Sequence, residues 1–379
     1  YQGRGLDLET GFLSRYAERV TELMGSEYPE LHEQRANVRK WLDAEEDGFG
    51  RTLQQGSRLL AELLERARQA GAEGISGDDA FMLHDTYGFP VEMTTELAGE
   101  QGFGVDFEGF ERLMDRQRER SRAPGGRTKG SQELREQALA LVGQAGFHTD
   151  FVGYQTTESQ TTVAAVEPDA NGRVLAKLVE SPFYATGGGQ VADAGYLECA
   201  GGDCRARVDD VLRIGDDQVV ALVPERGQIE PGEKVYARVD RAARHAIECN
   251  HTGTHLLHAA LRQRLGDHVR QAGSYVGPDK LRFDFTHGKA LSDAELAEVE
   301  DTVNQWVLAD HPVRALSTTL DEARRLGAMA LFGEKYGDVV RMVEVGDGSY
   351  SRELCGGTHV RFTAEIGPLK IVTETSSAA

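Results

Sequence analysis

Two short stretches bring together residues able to hold a metal ion. In "HTGTHLLHAALRQRLG", His251 and His255 stand four apart at the head of a segment whose apolar residues Leu256, Leu257, Ala260 and Leu261 recur at helical spacing. On a helix both imidazoles leave one face a turn apart and can share an ion, although two polar residues on an ordinary core helix show the same spacing. In "SRELCGGTHV", Cys355 and His359 repeat the interval, and Gly356 and Gly357 let the intervening backbone turn tightly. Three imidazole nitrogens and one thiolate suit Zn²⁺ in tetrahedral geometry. Four protein ligands close the shell, which marks a structural zinc; a catalytic ion needs one loose ligand or an expanded shell, and the spacing leaves both open.

The remaining histidines and thiols read more plainly. His258 is expected to be a satisfied, partly buried histidine, His287 to close a strand, and Cys249 to be small apolar filler. Cys199 and Cys204 flank a turn and are too isolated for a second metal site. A third feature is "SPFYATGGGQVADAGYL", where Gly187, Gly188 and Gly189 interrupt a β-rich segment. Such a run weakens a strand unless it forms a bulge at a barrel corner or lets a backbone or ligand approach closely.

Elements must carry the two half-sites to one point. With 379 residues, the chain is too long for one typical core. From Leu13 to about Ala70 the pattern is helical: Phe12, Tyr16, Val20 and Met24 keep one face, and Val38, Leu42, Phe49, Leu53, Leu60 and Leu64 another. A helical domain is therefore expected over 1–125, followed by a linker over 126–150 that contains "APGGRTKGS". From about Phe151 the period changes to two in "TTVAAVEP", "RVLAKLVES", "RARVDDVLRI", "QVVALVPE" and "KVYARVD", which predicts a small β-barrel over 151–240. Helices then alternate with the strands "KLRFDFTH", "VRALSTTL" and "VVRMVEVG", giving an α+β domain over 241–379 that holds both half-sites.

Bulk properties narrow the function. No apolar run is long enough to span a bilayer, and four cysteines fit a reducing cytoplasm better than a disulfide framework. A formal net charge of −20 argues against generic nucleic-acid binding, so any RNA contact must be local. Arg112, Arg116, Arg118, Arg120, Arg122, Arg127 and Lys129 are one local basic cluster, which also fits a solvated helix face running into a linker.

Taken together, the motifs resemble the alanyl-tRNA synthetase family and its freestanding editing relatives. "FYATGGGQVADAG" is similar to the glycine motif of their editing domains, and "HTGTHLLHAAL" and "CGGTHV" resemble their two zinc half-sites. "AEEDGFGRTLQQGSRLL" and "DTYGFPVEMT" resemble the helical tRNA-recognition region of the full synthetase. The resemblance implies a multidomain α and α+β architecture: the helical domain, the barrel and a zinc-dependent editing domain. It also implies a part of an enzyme that attaches alanine to tRNA(Ala) using ATP and Mg²⁺, with that catalytic core upstream of the present start. The chain itself is then expected to hydrolyse mischarged Ser-tRNA(Ala) and Gly-tRNA(Ala), with His251, His255, Cys355 and His359 holding zinc.

Under this resemblance Gln271, Thr186 and Thr254 are the candidate catalytic side chains, and Gly187, Gly188, Gly189, Arg116, Arg120 and Lys335 the candidate tRNA contacts. Many synthetases have an acidic residue and a serine where this chain has Thr186 and Gly187, which is closer to the freestanding editors. The expected partner is the acceptor end of tRNA(Ala), with no membrane or DNA partner, and the expected location is the cytoplasm. Two rivals stand beside this reading: a non-catalytic tRNA-binding module with a structural zinc, and the related editing domain of threonyl-tRNA synthetases, against which "DTYGFP" and the helical first third argue.

Overall fold

Helical periodicity in the first third builds one compact unit, which runs to Arg127, and Thr128–Thr375 form a second. The computed structural model describes residues 10–72, 74–121, 129–169, 172–330 and 337–375. In the first unit α1 (Phe12–Met24), α2 (Glu30–Glu33), α3 (Arg35–Ala70), α4 (Gly77–Asp85), α5 (Val91–Glu100) and α6 (Phe107–Ser121) follow in order. Two short strands, β1 (Gly74–Ile75) and β2 (Gly104–Val105), pair in parallel, so the unit is not wholly helical.

Leu53, Leu60 and Leu64 of α3 are buried with Leu83, Phe89 and Phe110, as their spacing predicts. Gly56 gives Phe89 room, since a Cβ there would lie 2.0 Å from the ring. The rest of the two expected faces differs from the structure: Tyr16, Val20 and Met24 of the first, and Val38 and Phe49 of the second, are exposed. Helix α1 meets α3 through polar groups instead, with the Ser14 hydroxyl donating to Asp43 and the Gly11 amide donating to Glu46 at 2.8 Å.

The second unit starts with α7 (Lys129–Ala145), where a linker is expected. Leu134, Ala138 and Leu141 of this helix are buried against Leu175, Val219 and Ala221 of the barrel. The linker expected over 126–150 is instead a packed helix over Lys129–Ala145, which buries an apolar stripe. Barrel strands β4 (Glu158–Pro168), β5 (Val174–Leu178), β7 (Gly195–Cys199), β8 (Arg205–Ile214), β9 (Asp217–Arg226) and β10 (Lys234–Val239) close in the order β10, β4, β5, β9, β8, β7. A parallel pair, β3 (Asp150–Phe151) with β6 (Glu180–Ser181), attaches the incoming chain.

Strand β10 alternates buried and exposed residues, as period two requires, and β8 does so up to a bulge between Val208 and Asp210; Ala206, Val208, Val211, Val235, Ala237 and Val239 join Leu178, Phe183 and Leu197 in the barrel core. Residues Asp217–Leu222 of β9 are buried on both faces, because α7 covers the outer one. Cys199 and Cys204 are joined as a disulfide across the turn from β7 to β8, so two of the four expected thiols are not free.

The α+β part packs in the same unit as the barrel. It contains α8 (Arg241–Leu265), the hairpin β11 (Gln271–Val276) and β12 (Leu281–Phe285), α9 (Asp293–Leu308), β13 (Val313–Thr319), α10 (Leu320–Arg325), β14 (Val339–Val345) and β15 (Ser351–Leu354). The last three strands form one antiparallel sheet in the order β13, β14, β15. Ser292 and Glu295 close a reciprocal cap on α9. Among the described residues no helix is long and apolar enough to cross a membrane.

Candidate metal centre

Helix α8 starts at Asp240, whose carboxylate accepts from the amides of Ala242 and Ala243 at 3.0 and 3.1 Å. One turn further in, Arg244 is buried and ties the helix to the barrel. Its guanidinium pairs with Asp193 and donates to the carbonyls of Gly153 and Pro182 at 2.8 and 2.9 Å. Two turns on, His251, His255 and His258 follow along the buried face. The opposing half-site leaves the end of β15, where the Cys355 amide donates to the Arg341 carbonyl at 3.0 Å. Gly357 lets the loop press against His251, because a Cβ there would lie 2.0 Å from the imidazole Cε1.

The two half-sites meet. Ligand atoms of His251, His255, Cys355 and His359 lie within 4.8 Å of one another. The Cys355 Sγ is 3.4 Å from His251 Nε2 and 3.3 Å from His359 Nε2. The opposite nitrogen of each ring faces an outer partner: His251 Nδ1 is 2.8 Å from Gln190 Oε1, His359 Nδ1 is 3.2 Å from Thr252 Oγ1, and His255 Nδ1 is 3.4 Å from a Glu353 carboxylate oxygen. The Gln190 oxygen also accepts from the Thr358 amide at 2.9 Å, while its NH₂ donates to the Thr358 hydroxyl. Such an oxygen only accepts, so His251 holds a hydrogen on Nδ1, and Nε2 is the nitrogen that faces the centre.

Electrostatics favour the ligand-ready state. Burial opposes a thiolate at Cys355, yet His251 and His359 beside it outweigh burial and hold its pKa well below the usual thiol range. Burial, reinforced by His251, pushes His359 down to about 3, which keeps it neutral. His255 runs the other way: burial disfavours its charge, but Glu353 and Cys355 raise its pKa to about 9, so an incoming ion must displace a proton there. The donor set is thus one thiolate and three imidazoles, His251 and His359 held by outer hydrogen bonds and His255 facing the Glu353 carboxylate, which fits a tetrahedral N₃S metal centre.

A cavity of about 270 Å³ adjoins the centre, lined by His251, His255 and Cys355 together with Thr254, Gln271 and Gly188. Of the other expected residues, Thr186 is exposed and Gly187 half-buried, and neither lines the cavity. Gly188 and Gly189 adopt positive φ of 59° and 81°, and a Cβ on Gly189 would lie 2.2 Å from Ser274 Oγ. The glycine run therefore serves close backbone approach: the Val276 amide donates to the Gly189 carbonyl at 2.8 Å, stitching the barrel to β11. Arg116 is exposed in the first unit, while the Arg120 side chain and Lys335 lie outside the described residues. Cys249 takes no part, its thiol donating to the Glu365 carbonyl at 3.2 Å.

His258 is more than a satisfied core histidine. Its Nδ1 is 3.0 Å from the other oxygen of Glu353, which links it to the ligand His255 through one carboxylate. Sequence reasoning missed Gln190, Glu353 and Thr252. A signal existed for the first, which directly follows the glycine run, and for the second, which falls two residues before Cys355 on the inward register of β15. Gln190→Leu is expected to weaken metal binding roughly 10–100-fold, the usual cost of losing an outer-shell partner, with Gln190→Glu close to wild type. Competition with a chromophoric chelator measures this, and equal affinities in all three proteins would refute the assignment.

Comparison with known proteins agrees with both halves of the chain. The family model described as tRNA synthetases class II (A) matches residues 1–243, and that described as threonyl and alanyl tRNA synthetase second additional domain matches residues 340–379. The alanine–tRNA ligase of Rubrobacter xylanophilus is 46% identical over 98% of the chain and 41% of its own length. That of Pelotomaculum thermopropionicum is 45% identical over 100% and 43%, and that of Thermus thermophilus 46% identical over 99% and 43%. The chain spans about two fifths of the length of these relatives.

Proposed function

Because the chain belongs to the alanyl-tRNA synthetase family of class II, we propose that its second unit removes wrongly attached serine or glycine from tRNA(Ala) by hydrolysing the ester to the terminal ribose. The observation that carries this reading is the convergence of His251, His255, Cys355 and His359 beside a cavity that also holds Gln271 and Thr254. Zn²⁺ fits the donor set, and when bound it supplies Lewis acidity or orients the substrate. Serving a ligase that charges tRNA(Ala) with ATP and Mg²⁺, in the cytoplasm, belongs to the same proposal.

The chain's own groups divide the work. An aminoacyl ester is already activated, so a positioned water and stabilisation of the developing oxyanion supply much of what the reaction needs. Gln271 donates its NH₂ to Ser274 Oγ at 3.1 Å, which orients its carbonyl oxygen to accept from a water in the cavity. The amide of Gly188, which lines the cavity, donates to no acceptor among the described residues and is available to an oxyanion. Thr254 donates its hydroxyl to the Asn250 carbonyl at 2.8 Å, so its lone pairs accept from the hydroxyl of a serine and have nothing to accept from the methyl of alanine. Its place in the cavity favours Thr254 over Thr186 for this role. The physical need is plain, since an alanine pocket excludes glycine by only about 1–3 kcal/mol and rejects an added hydroxyl poorly.

A closed set of four protein ligands favours a second reading, a tRNA-binding module with a structural zinc. Deacylation of Ser-tRNA(Ala) and Ala-tRNA(Ala) by this chain separates the two. Selective release of serine is expected; if both esters survive while zinc and tRNA bind, the binding module is the better description.

A further inference from the structure

Arg341 has no carboxylate partner among the described residues. It lines the cavity from β14, and among the described residues no carboxylate oxygen lies within 4.0 Å of it. Several other arginines of this unit are matched, as in Arg352 with Glu344 at 3.3 Å, Arg262 with Asp267 at 2.7 Å and Arg238 with Glu198 at 3.5 Å. In a chain of formal net charge −20, an arginine left unmatched at a cavity calls for an external partner.

Its side chain is also held in one place. Nη1 donates to the carbonyls of Cys355 and Gly357 at 2.8 and 2.9 Å, and the guanidinium carbon stands 4.1 Å from the centroid of Tyr154. The Tyr154 hydroxyl donates to the Gly356 carbonyl, so the ring is anchored to the same loop. Nε and Nη2 keep their hydrogens without a protein acceptor among the described residues. A fixed guanidinium edge with free donors matches the oxygens of a phosphate.

A second such arginine stands nearby. Arg213 is exposed, has no carboxylate within 4.0 Å among the described residues, and donates from Nη2 to the Ala185 carbonyl at 3.3 Å. Its Nε would lie 3.2 Å from a Cβ on Gly187, beside the glycine turn. Burial raises the pKa of the Tyr154 and Tyr184 hydroxyls, and Arg341 and Arg213 both pull against it, which places the two cations around the same pair of rings.

We propose that Arg341 and Arg213 form the entrance for a single-stranded RNA end, with Arg341 holding the phosphodiester nearest the cavity and Arg213 one further along the strand. This rests on the reading that the site works on the acceptor end of an RNA. Neither residue touches the scissile ester; both position the strand.

The test uses the whole chain loaded with zinc and an uncharged RNA hairpin with a four-nucleotide single-stranded 3′ tail. Affinity is measured against salt, with the tailless hairpin and inorganic phosphate as separate arms, and zinc content is measured for every protein. Each phosphate neutralised on a single strand contributes about 0.7 to the slope of log affinity against log salt. Arg341→Gln and Arg213→Gln are each expected to lower the slope for the tailed hairpin by about that amount, with no change for the tailless one, and Arg341→Lys to keep the wild-type slope. Unchanged slopes in zinc-replete Arg341→Gln and Arg213→Gln overturn the proposal. Arg213 touches none of the metal-loop carbonyls, so its variant decides the matter if Arg341→Gln loses zinc. Equal loss for the two hairpins, or loss of phosphate binding alone, also overturns it. Because the RNA carries no amino acid, a reduced slope in a protein that hydrolyses no ester supports the entrance while rejecting the hydrolytic reading.

Discussion

Cys355→Ala is expected to abolish high-affinity metal binding and, with it, release of serine from tRNA(Ala). Cys355 is the one thiolate among the four donors and lies within 3.4 Å of two ligand nitrogens, so its loss removes both a bond to the ion and the charge that offsets the ion. The fall in affinity should exceed the roughly 10–100-fold cost of losing an outer-shell partner. Replacing zinc by cobalt gives the discriminating signal: the wild type should show the charge-transfer absorption of a cobalt–thiolate bond, and Cys355→Ala should lack it. An unchanged thiolate band in the variant would move the centre elsewhere.

The pH dependence follows from the same groups. Binding displaces the proton held on His255, whose pKa is raised to about 9, so metal affinity is expected to rise with pH towards that value and level off above it. His359, lowered to about 3, contributes no slope in the neutral range. A metal affinity independent of pH between 6.5 and 9 would contradict this account of His255.

Arg244→Ala should be strongly destabilising. The change leaves the Asp193 carboxylate buried without its partner and strips donors from the Gly153 and Pro182 carbonyls. Removing one partner of a buried pair typically costs about 3–5 kcal/mol. By contrast Arg325→Ala, which breaks an exposed pair with Glu322 on one helix, should leave unfolding nearly unchanged. Denaturant unfolding of both variants checks the contrast, and equal midpoints would show that the buried pair does not hold α8 to the barrel. Because His251 lies two turns beyond Arg244, Arg244→Ala should also weaken metal binding, whereas Arg325→Ala should not.

How much of this was legible follows from the range over which each feature is set. The strands "RARVDDVLRI" and "KVYARVD" could be read directly, because a strand turns alternate residues to opposite faces whatever surrounds it. Strands β7, β11 and β15 were not, since short or glycine-bearing segments show too little alternation. The helix Lys129–Ala145 was masked by neighbouring glycine, proline and charge, and only the barrel wall beneath it gives its apolar stripe a partner. Half of β9 reads as a buried run for the same reason.

What the sequence by itself determined was the donor chemistry and its local geometry: two pairs four residues apart, one on a helix and one on a glycine turn, because such spacing becomes a direction in space through local backbone geometry alone. Only the tertiary structure decided which groups complete them. Gln190 and Thr358 are 168 residues apart and meet because the barrel closes against α8, and His258 reaches His255 only through Glu353 on a separate strand. The Arg341 donors that meet no acceptor among the described residues belong to the same class, since whether a charge is matched depends on every surface that folds around it.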